Sequence, residues 1–302
     1  MQKTVWNFAQ LPEPTAVGEL CSQLGVKEDV AQLLINRGIT DYDQAKTFFR
    51  PSFDDLHDPF LMKGMEKAVS RLEEALGDGE KILIYGDYDV DGTTSVALVY
   101  SFLKDLGQVD FYIPDRYKEG YGLSIAGIDY AKENGISLII ALDCGIRAID
   151  KVAYANEKGI DIIICDHHLP GSELPAAHAI LDPKQNGCAY PYKELCGCGV
   201  GFKLLQAYCE KNNADFDRLT SRLDLVAVAI AADIVPITGE NRVLATFGLQ
   251  KINQEPCTGI RALLEYTKMN RVMTISDVVF TIAPRINAAG RIASGKRAVE
   301  LL

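Results

Sequence analysis

No run of apolar residues in this 302-residue chain approaches the roughly 18 that a membrane-spanning helix needs. The opening stretch, MQKTVWNFAQLPEP, has neither an apolar core nor a small-residue cleavage site, so a secretory leader is not expected there. Positive charge is scarce as well: 31 Lys and Arg stand against 41 Asp and Glu, a formal charge of −10. That balance excludes a uniformly basic nucleic-acid coat, but it leaves room for a local basic track or for carboxylates that hold cations. Internal repeats and low-complexity tracts are also missing.

Cysteine, by contrast, is plentiful, with eight residues. Cys165 and Cys209 sit inside apolar patterns and no export signal is present, so the set reads as reduced thiols of a cytoplasmic protein. The spacing of Cys188, Cys196, Cys198 and Cys209 matches no ordinary zinc knuckle. ELCGCGVGFKLL reads instead as small residues that allow a tight turn into a helix.

Two regions are expected. Residues 1–64 form a helical extension and connector; the first 60 carry five Lys/Arg against nine Asp/Glu, and Arg50-Pro51 followed by FDDLHDPF breaks the helical pattern. Residues 65–302 form the catalytic domain. EKAVSRLEEAL is an amphipathic helix, and KILIYG is the short β-branched run of a buried strand. The alternation then repeats: helix Thr93–Leu106, strand VDFYIPD, helix Ser124–Glu133, strand SLIIALD, helix Arg147–Lys158, strand DIIICD. This rhythm predicts an α/β fold with a parallel sheet flanked by helices. Beyond Pro170 a loop-rich stretch gives way to four or five helical segments that run to Leu302.

In such sheets ligands bind beyond the carboxyl ends of the strands, and here those positions are acidic. KILIYG runs into Asp87, Asp89 and Asp91, followed by Gly92, which is expected to turn the chain into a helix near Thr93. SLIIAL ends at Asp143, and DIIIC at Asp166-His167-His168. Five such carboxylates in one cleft repel one another unless cations sit between them, and hard oxygens with imidazole nitrogen suit Mn2+ or Mg2+. A calcium loop fits less well, because the bidentate Glu that should follow DxDxDG is missing. Of the adjacent histidines, one is expected to be a ligand and the other to face substrate.

GDYDVDG, ALDCG and CDHH, in this order, resemble the three motifs of the DHH phosphoesterase superfamily. LVAVAIAADIVPI supplies the fourth, an Asp ending a hydrophobic helix, with Asp233 preferred over Asp224. LHDPFLMKGMEKAVSRL, IPDRYKEGYGLS and APRINAAGR further resemble the bacterial RecJ single-strand-specific exonucleases, over nearly the whole chain. The resemblance implies a two-metal phosphodiesterase that removes nucleotides from the 5′ end of single-stranded DNA in repair and recombination. It implies two Mn2+ or Mg2+ ions held by Asp89, Asp91, Asp143, His167 and Asp233. Asp87 is then a ligand or its neighbour, Asp166 the carboxylate that orients His167, and His168 the group facing the scissile phosphate.

Arg116 and Tyr121, around the GYG turn, are candidates for a 5′ phosphate and a base. Arg285, Asn287 and Arg291, in a segment from Arg271 to Leu302 with five Lys/Arg against two Asp/Glu, are candidates for the DNA backbone. Single-stranded DNA is the implied partner, together with a single-strand-binding protein and a helicase. RecJ proteins continue into a second substrate-binding domain and an oligonucleotide-binding barrel that this chain does not contain, so an isolated catalytic half of weak or no activity is expected. Rival readings are an oligonucleotide or cyclic-dinucleotide phosphodiesterase or pyrophosphatase of the same superfamily, and a non-catalytic DNA-binding scaffold. The former group typically has His four residues before the middle Asp of the first motif, where this chain has Tyr85.

Overall fold

A computed structural model describes Val5, Asn7 and residues 10–269, 271–292 and 295–302, with the backbone alone for 290–292. It divides into two compact units, Met1–Asp55 and Leu56–Leu302. The first holds helices α1 (Pro14–Leu24), α2 (Glu28–Ile35) and α3 (Tyr42–Phe49). Pro14 opens α1 where its missing N–H is harmless, and Asp41 caps α3 by accepting from the Gln44 amide at 2.8 Å. Val17, Leu20, Ala31, Leu34, Ile39 and Ala45 form its small core.

The second unit is built on a five-stranded, wholly parallel sheet of order β2-β1-β3-β4-β5. Its strands are β1 (Lys81–Gly86), β2 (Gln108–Tyr112), β3 (Ile136–Leu142), β4 (Asp161–Cys165) and β5 (Ala179–Leu181). The connecting helices are α4 (Met65–Gly77), α5 (Val90–Leu103), α6 (Ile125–Glu133) and α7 (Ile149–Glu157). After the sheet come α8 (Gly197–Asn212), α9 (Phe216–Thr220), α10 (Leu223–Asp233), α11 (Gly239–Gln254) and α12 (Thr258–Thr267). A short turn α13 (Ile275–Asp277), a π-helical turn (Val278–Ile282), α14 (Ala283–Ile292) and α15 (Gly295–Leu301) complete the described chain.

Sheet burial explains the β-branched runs. Leu83 and Tyr85 of β1, Ile139 and Ala141 of β3, and Ile162 and Ile164 of β4 pack on one face with Ile128 and Ala131 of α6 and Val152 and Ala155 of α7. Ile82 and Ile84 point the other way and are equally buried, and α5 and α8 adjoin that side. α5 and α10 are buried around most of their circumference, so they read in the sequence as apolar runs without a strong stripe.

Three expectations change. The helix expected from Thr93 starts at Val90, because the Asp89 carboxylate accepts from the Gly92 amide at 3.0 Å and caps it there. Gly92 therefore lies inside the helix rather than in a turn; its role is close approach, since a Cβ there would fall 2.5 Å from the Asp87 carbonyl oxygen. The loop-rich stretch after Pro170 contains β5, a strand of three residues too short to show a pattern. The C-terminal region breaks into more helices than four or five, divided by turns of only two to seven residues, too short to stand out in the sequence.

Candidate metal centre

The 2-1-3-4-5 order reverses direction between β1 and β3, and such a switch point opens a crevice at the carboxyl ends of the strands. Register sets what fills it. Gly86 pairs with Leu142, Leu142 with Cys165, and Cys165 with Leu181, so the next residue of each strand stands in one row. That row is Asp87, Asp143, Asp166 and Asp182. Asp143 takes a left-handed backbone (φ 58°), a conformation Asp tolerates better than most residues, while its amide donates to the Cys165 carbonyl at 2.9 Å.

His167 converts the row into a cluster. Its Nε2 lies 3.2 Å from Asp143 Oδ1, 3.6 Å from Asp233 Oδ2 and 3.8 Å from Asp91 Oδ2. Two ligands of one ion, each about 2.1 Å from it, stand no more than about 4.2 Å apart, and all three separations fall inside that limit. Asp143, His167 and His168 also group together, more loosely, with ligand atoms within 4.8 Å of one another. Asp233 comes from the last position of α10 and is followed by Ile234 at φ 57°, a strained conformation for a β-branched residue.

Asp91 is gripped from the opposite side. The first amides of α8 donate to it, Gly197 N to Oδ2 at 2.6 Å and Cys198 N to Oδ1 at 2.8 Å. The helix N-terminus thus faces a carboxylate, the favourable sense of its dipole. A Cβ on residue 197 would lie 2.5 Å from Asp143 Cβ, so only glycine lets α8 come this close.

Burial and mutual repulsion push these acids toward their protonated forms. Burial, and then the Asp233 charge, pushes Asp91 up to about 8. Burial and Asp89 raise Asp87 to about 7 and Asp233 to about 6. Asp143 is raised well above the carboxylate range by burial, then by Asp91. Burial also lowers His167, to about 4, keeping its ring neutral and available as a ligand. Asp143 Oδ1, His167 Nε2 and Asp87 Oδ2 are buried without a hydrogen-bond partner among the described residues. Unsatisfied, mutually repelling acids around a neutral imidazole form a donor set that divalent cations complete.

A model of the DHH family, N-terminal domain, matches residues 81–230. The single-stranded-DNA-specific exonuclease RecJ of Bacillus subtilis (strain 168) is 44% identical over 302 residues, covering 99% of this chain and 38% of that protein. A crystal structure of RecJ in complex with Mn2+ from Thermus thermophilus superposes with a TM-score of 0.82 at 31% identity, over 97% of this chain and 42% of that one. This chain belongs to the DHH family. A second Thermus thermophilus RecJ structure, in complex with Mg2+, gives a TM-score of 0.71 at 29% identity, over 97% of this chain and 38% of that one. The DHH chain therefore spans about two fifths of the length of these relatives.

Within the DHH centre the two histidines exchange one expected partner. The resemblance has Asp166 orient His167; its Oδ1 instead lies 2.7 Å from His168 Nδ1, while accepting the backbone amide of His167 at 2.8 Å. The reason is reach: the amides of His167, His168 and Ile146 fold around the Asp166 carboxylate, and only the His168 ring turns back over it. That hydrogen bond raises His168, and although burial opposes it, the same bond holds Asp166 below its ordinary value.

The other expected residues are placed less centrally. Asp89 caps α5 and its charge reaches Asp87, Asp91 and Asp233. Asp224, the rival to Asp233, is buried and accepts from the Cys257 amide at 2.6 Å, a structural role. Tyr121 reaches the site, its hydroxyl donating to the Asp143 carbonyl at 3.0 Å and lying 3.4 Å from His168 Nε2. Arg116 lies over the Tyr88 ring, 4.8 Å from its centroid. Arg285 donates to the Thr281 carbonyl at 2.6 Å and faces Tyr266; none of its described contacts joins it to the cluster. Asn287 lies on the same helix, half-buried, and the Arg291 side chain lies outside the described residues. Sequence reasoning missed Asp182, although AILDP carries the same apolar-run-then-Asp signal, and it missed the Gly197 and Cys198 amides, which no side-chain motif announces.

Proposed function

We propose that this chain is the metal-dependent catalytic part of a 5′-to-3′ exonuclease on single-stranded DNA, with Mn2+ or Mg2+ held by Asp89, Asp91, Asp143, His167 and Asp233. The observation that carries it is the convergence of Asp91, Asp143 and Asp233 on His167 Nε2, with buried ligand atoms left unpartnered. The names of the similar proteins support the substrate class. When bound, the cations supply Lewis-acid stabilisation of phosphoryl charge and lower the pKa of water.

The chain's own residues supply the rest. Asp91 is held by two backbone amides, which fixes the geometry of the cluster before substrate arrives. The Asp166–His168 pair keeps a proton-bearing imidazole beside the cluster, where it can hydrogen-bond a phosphate oxygen or hand a proton to the departing 3′ oxygen. Tyr121 holds that ring from its far side. Arg116, which lies over the Tyr88 ring, can meet a terminal 5′ phosphate with two parallel hydrogen bonds.

Among superfamily rivals, Tyr85 argues against the pyrophosphatase-like group: it is fully buried, stacks on Tyr112 and donates to the Gly122 carbonyl at 2.9 Å, so it offers no ligand. Cytoplasmic location belongs to the same reading, supported by eight free cysteines and by the lack, among the described residues, of a helix long and apolar enough to cross a membrane. A single-strand-binding protein and a helicase as partners rest on the RecJ resemblance. The test is digestion of single strands labelled at either end, with Mn2+, Mg2+ or EDTA. Release of the 5′ label first, abolished by EDTA, is expected; metal-independent cutting, or loss of the 3′ label first, refutes the function.

A further inference from the structure

Beside the metal cluster lies a cleft of about 1060 Å³, bounded by Tyr121 to Leu123, by Gly145 to Lys151 and by Asp166 to Leu169, with Glu173 and Lys184 at its border. Its size lies at the upper end of the roughly 300–1,000 Å³ typical of small-molecule pockets, room enough for a short segment of polymer. His168 belongs to both the cleft and the cluster, which makes the two continuous.

The walls carry two kinds of group. Arg147 Nε donates to the Leu169 carbonyl at 2.8 Å, which ties the guanidinium across the cleft, and its two terminal nitrogens have no partner among the described residues. Lys151, in the first turn of α7, likewise has no ion pair among the described residues, and Lys184 keeps only a long contact of 3.8 Å to Glu194. Three cations stand among three acids, Asp150, Glu173 and Asp166, the last already engaged by His168 and by the Ile146 amide. In a chain of net charge −10, a wall where cations match acids in number, with Arg147 and Lys151 free of ion pairs among the described residues, is a separate feature. In the same lining, Leu169 and Tyr121 expose 67% and 53% of their surface, offering apolar faces. Cations together with exposed apolar and aromatic faces suit a single strand, which presents both phosphates and bases.

We propose that this cleft seats the sugar–phosphate backbone of the bound single strand next to the scissile position, with Arg147 and Lys151 each neutralising one phosphate. The proposal rests on the phosphodiesterase reading above and extends it to residues that no motif marks. Each phosphate neutralised on a single strand adds about 0.7 to the slope of log affinity against log salt.

The test is fluorescence anisotropy of a 3′-labelled dT12 with the full chain in EDTA, titrated over salt, for the unaltered protein and for Arg147→Gln/Lys151→Gln. The double variant should lose about 1.4 from the slope, whereas Lys104→Gln/Lys158→Gln, two cations engaged with tyrosine rings elsewhere, should leave it as it was. Equal slopes for the cleft variant and the unaltered chain overturn the proposal, as does an equal loss in the control pair or a strand that fails to bind at any salt. Mn2+-dependent hydrolysis of thymidine 5′-p-nitrophenyl phosphate by the unaltered chain tests the metal centre separately, because that substrate has no second phosphate to place in the cleft.

Discussion

Replacing Gly197 by alanine tests whether the start of α8 sets the geometry of the carboxylates. The new Cβ would stand 2.5 Å from Asp143 Cβ, 2.7 Å from its Oδ1 and 2.8 Å from its Cα. Carbon atoms pack comfortably at about 3.5–4.0 Å, so α8 and the strand end must part by about 1 Å. No side-chain rotation relieves this, since two of the three atoms are fixed to the backbone of β3's exit. Overpacking of this kind costs about 1–3 kcal/mol. The same movement stretches the 2.6 Å hydrogen bond from Gly197 N to Asp91, of a kind worth about 0.5–1.5 kcal/mol. A net loss near 2 kcal/mol lowers the melting temperature of a chain this size by roughly 3 °C. Loss of an outer hydrogen bond to a ligand typically weakens metal binding about 10–100-fold. Differential scanning calorimetry and calorimetric Mn2+ titration read both effects. Gly199→Ala is the control: its Cβ would meet chiefly the Leu195 side chain, at 3.2 and 3.4 Å, which can adjust. A Gly197→Ala protein with unchanged melting temperature and Mn2+ affinity refutes the idea that α8 holds Asp91 and Asp143 in place.

Three further predictions come from the buried acids. In EDTA, melting temperature should fall as pH rises from about 6.5 to 8: Asp87 and Asp91, held up at about 7 and 8, keep protons that the unfolded chain has already lost, so deprotonation favours unfolding. His167, at about 4, is neutral when folded, whereas the unfolded ring is still partly protonated near pH 6.5, so it opposes the fall only at the lower end of this window; Mn2+ should stabilise more at pH 8 than at pH 6.5, and an apo curve that rises between pH 7.5 and 8 refutes the electrostatics. Asp233→Asn should abolish or greatly weaken Mn2+ binding while leaving the metal-free protein at least as stable at pH 8, because a repelling charge beside Asp91 is gone. Asp224→Asn should do the reverse, lowering the melting temperature through its bond to the Cys257 amide while Mn2+ affinity holds; the opposite pairing in calorimetry would reassign the fourth acid.

Much of this molecule was legible from residue order alone. Alternating β-branched runs and helical stripes determine a parallel sheet, because strands covered on both faces must be apolar throughout. An Asp after each strand determines an acidic rim, since the carboxyl ends of parallel strands share one edge. Tertiary structure alone decided the rest. Whether Asp224 or Asp233 joins the rim depends on how α10 lies against α5 and α8, which the uniformly apolar residues between the two acids do not encode. Asp166 chose His168 over His167 because a carboxylate ringed by three amides accepts only the imidazole that can fold back over it. The clamp on Asp91 is made by backbone amides of a helix more than a hundred residues away, and every residue has an amide, so no sequence pattern announces it. The cleft beside His168 likewise exists only because the β3–α7 and β4–β5 connections come together across the same end of the sheet.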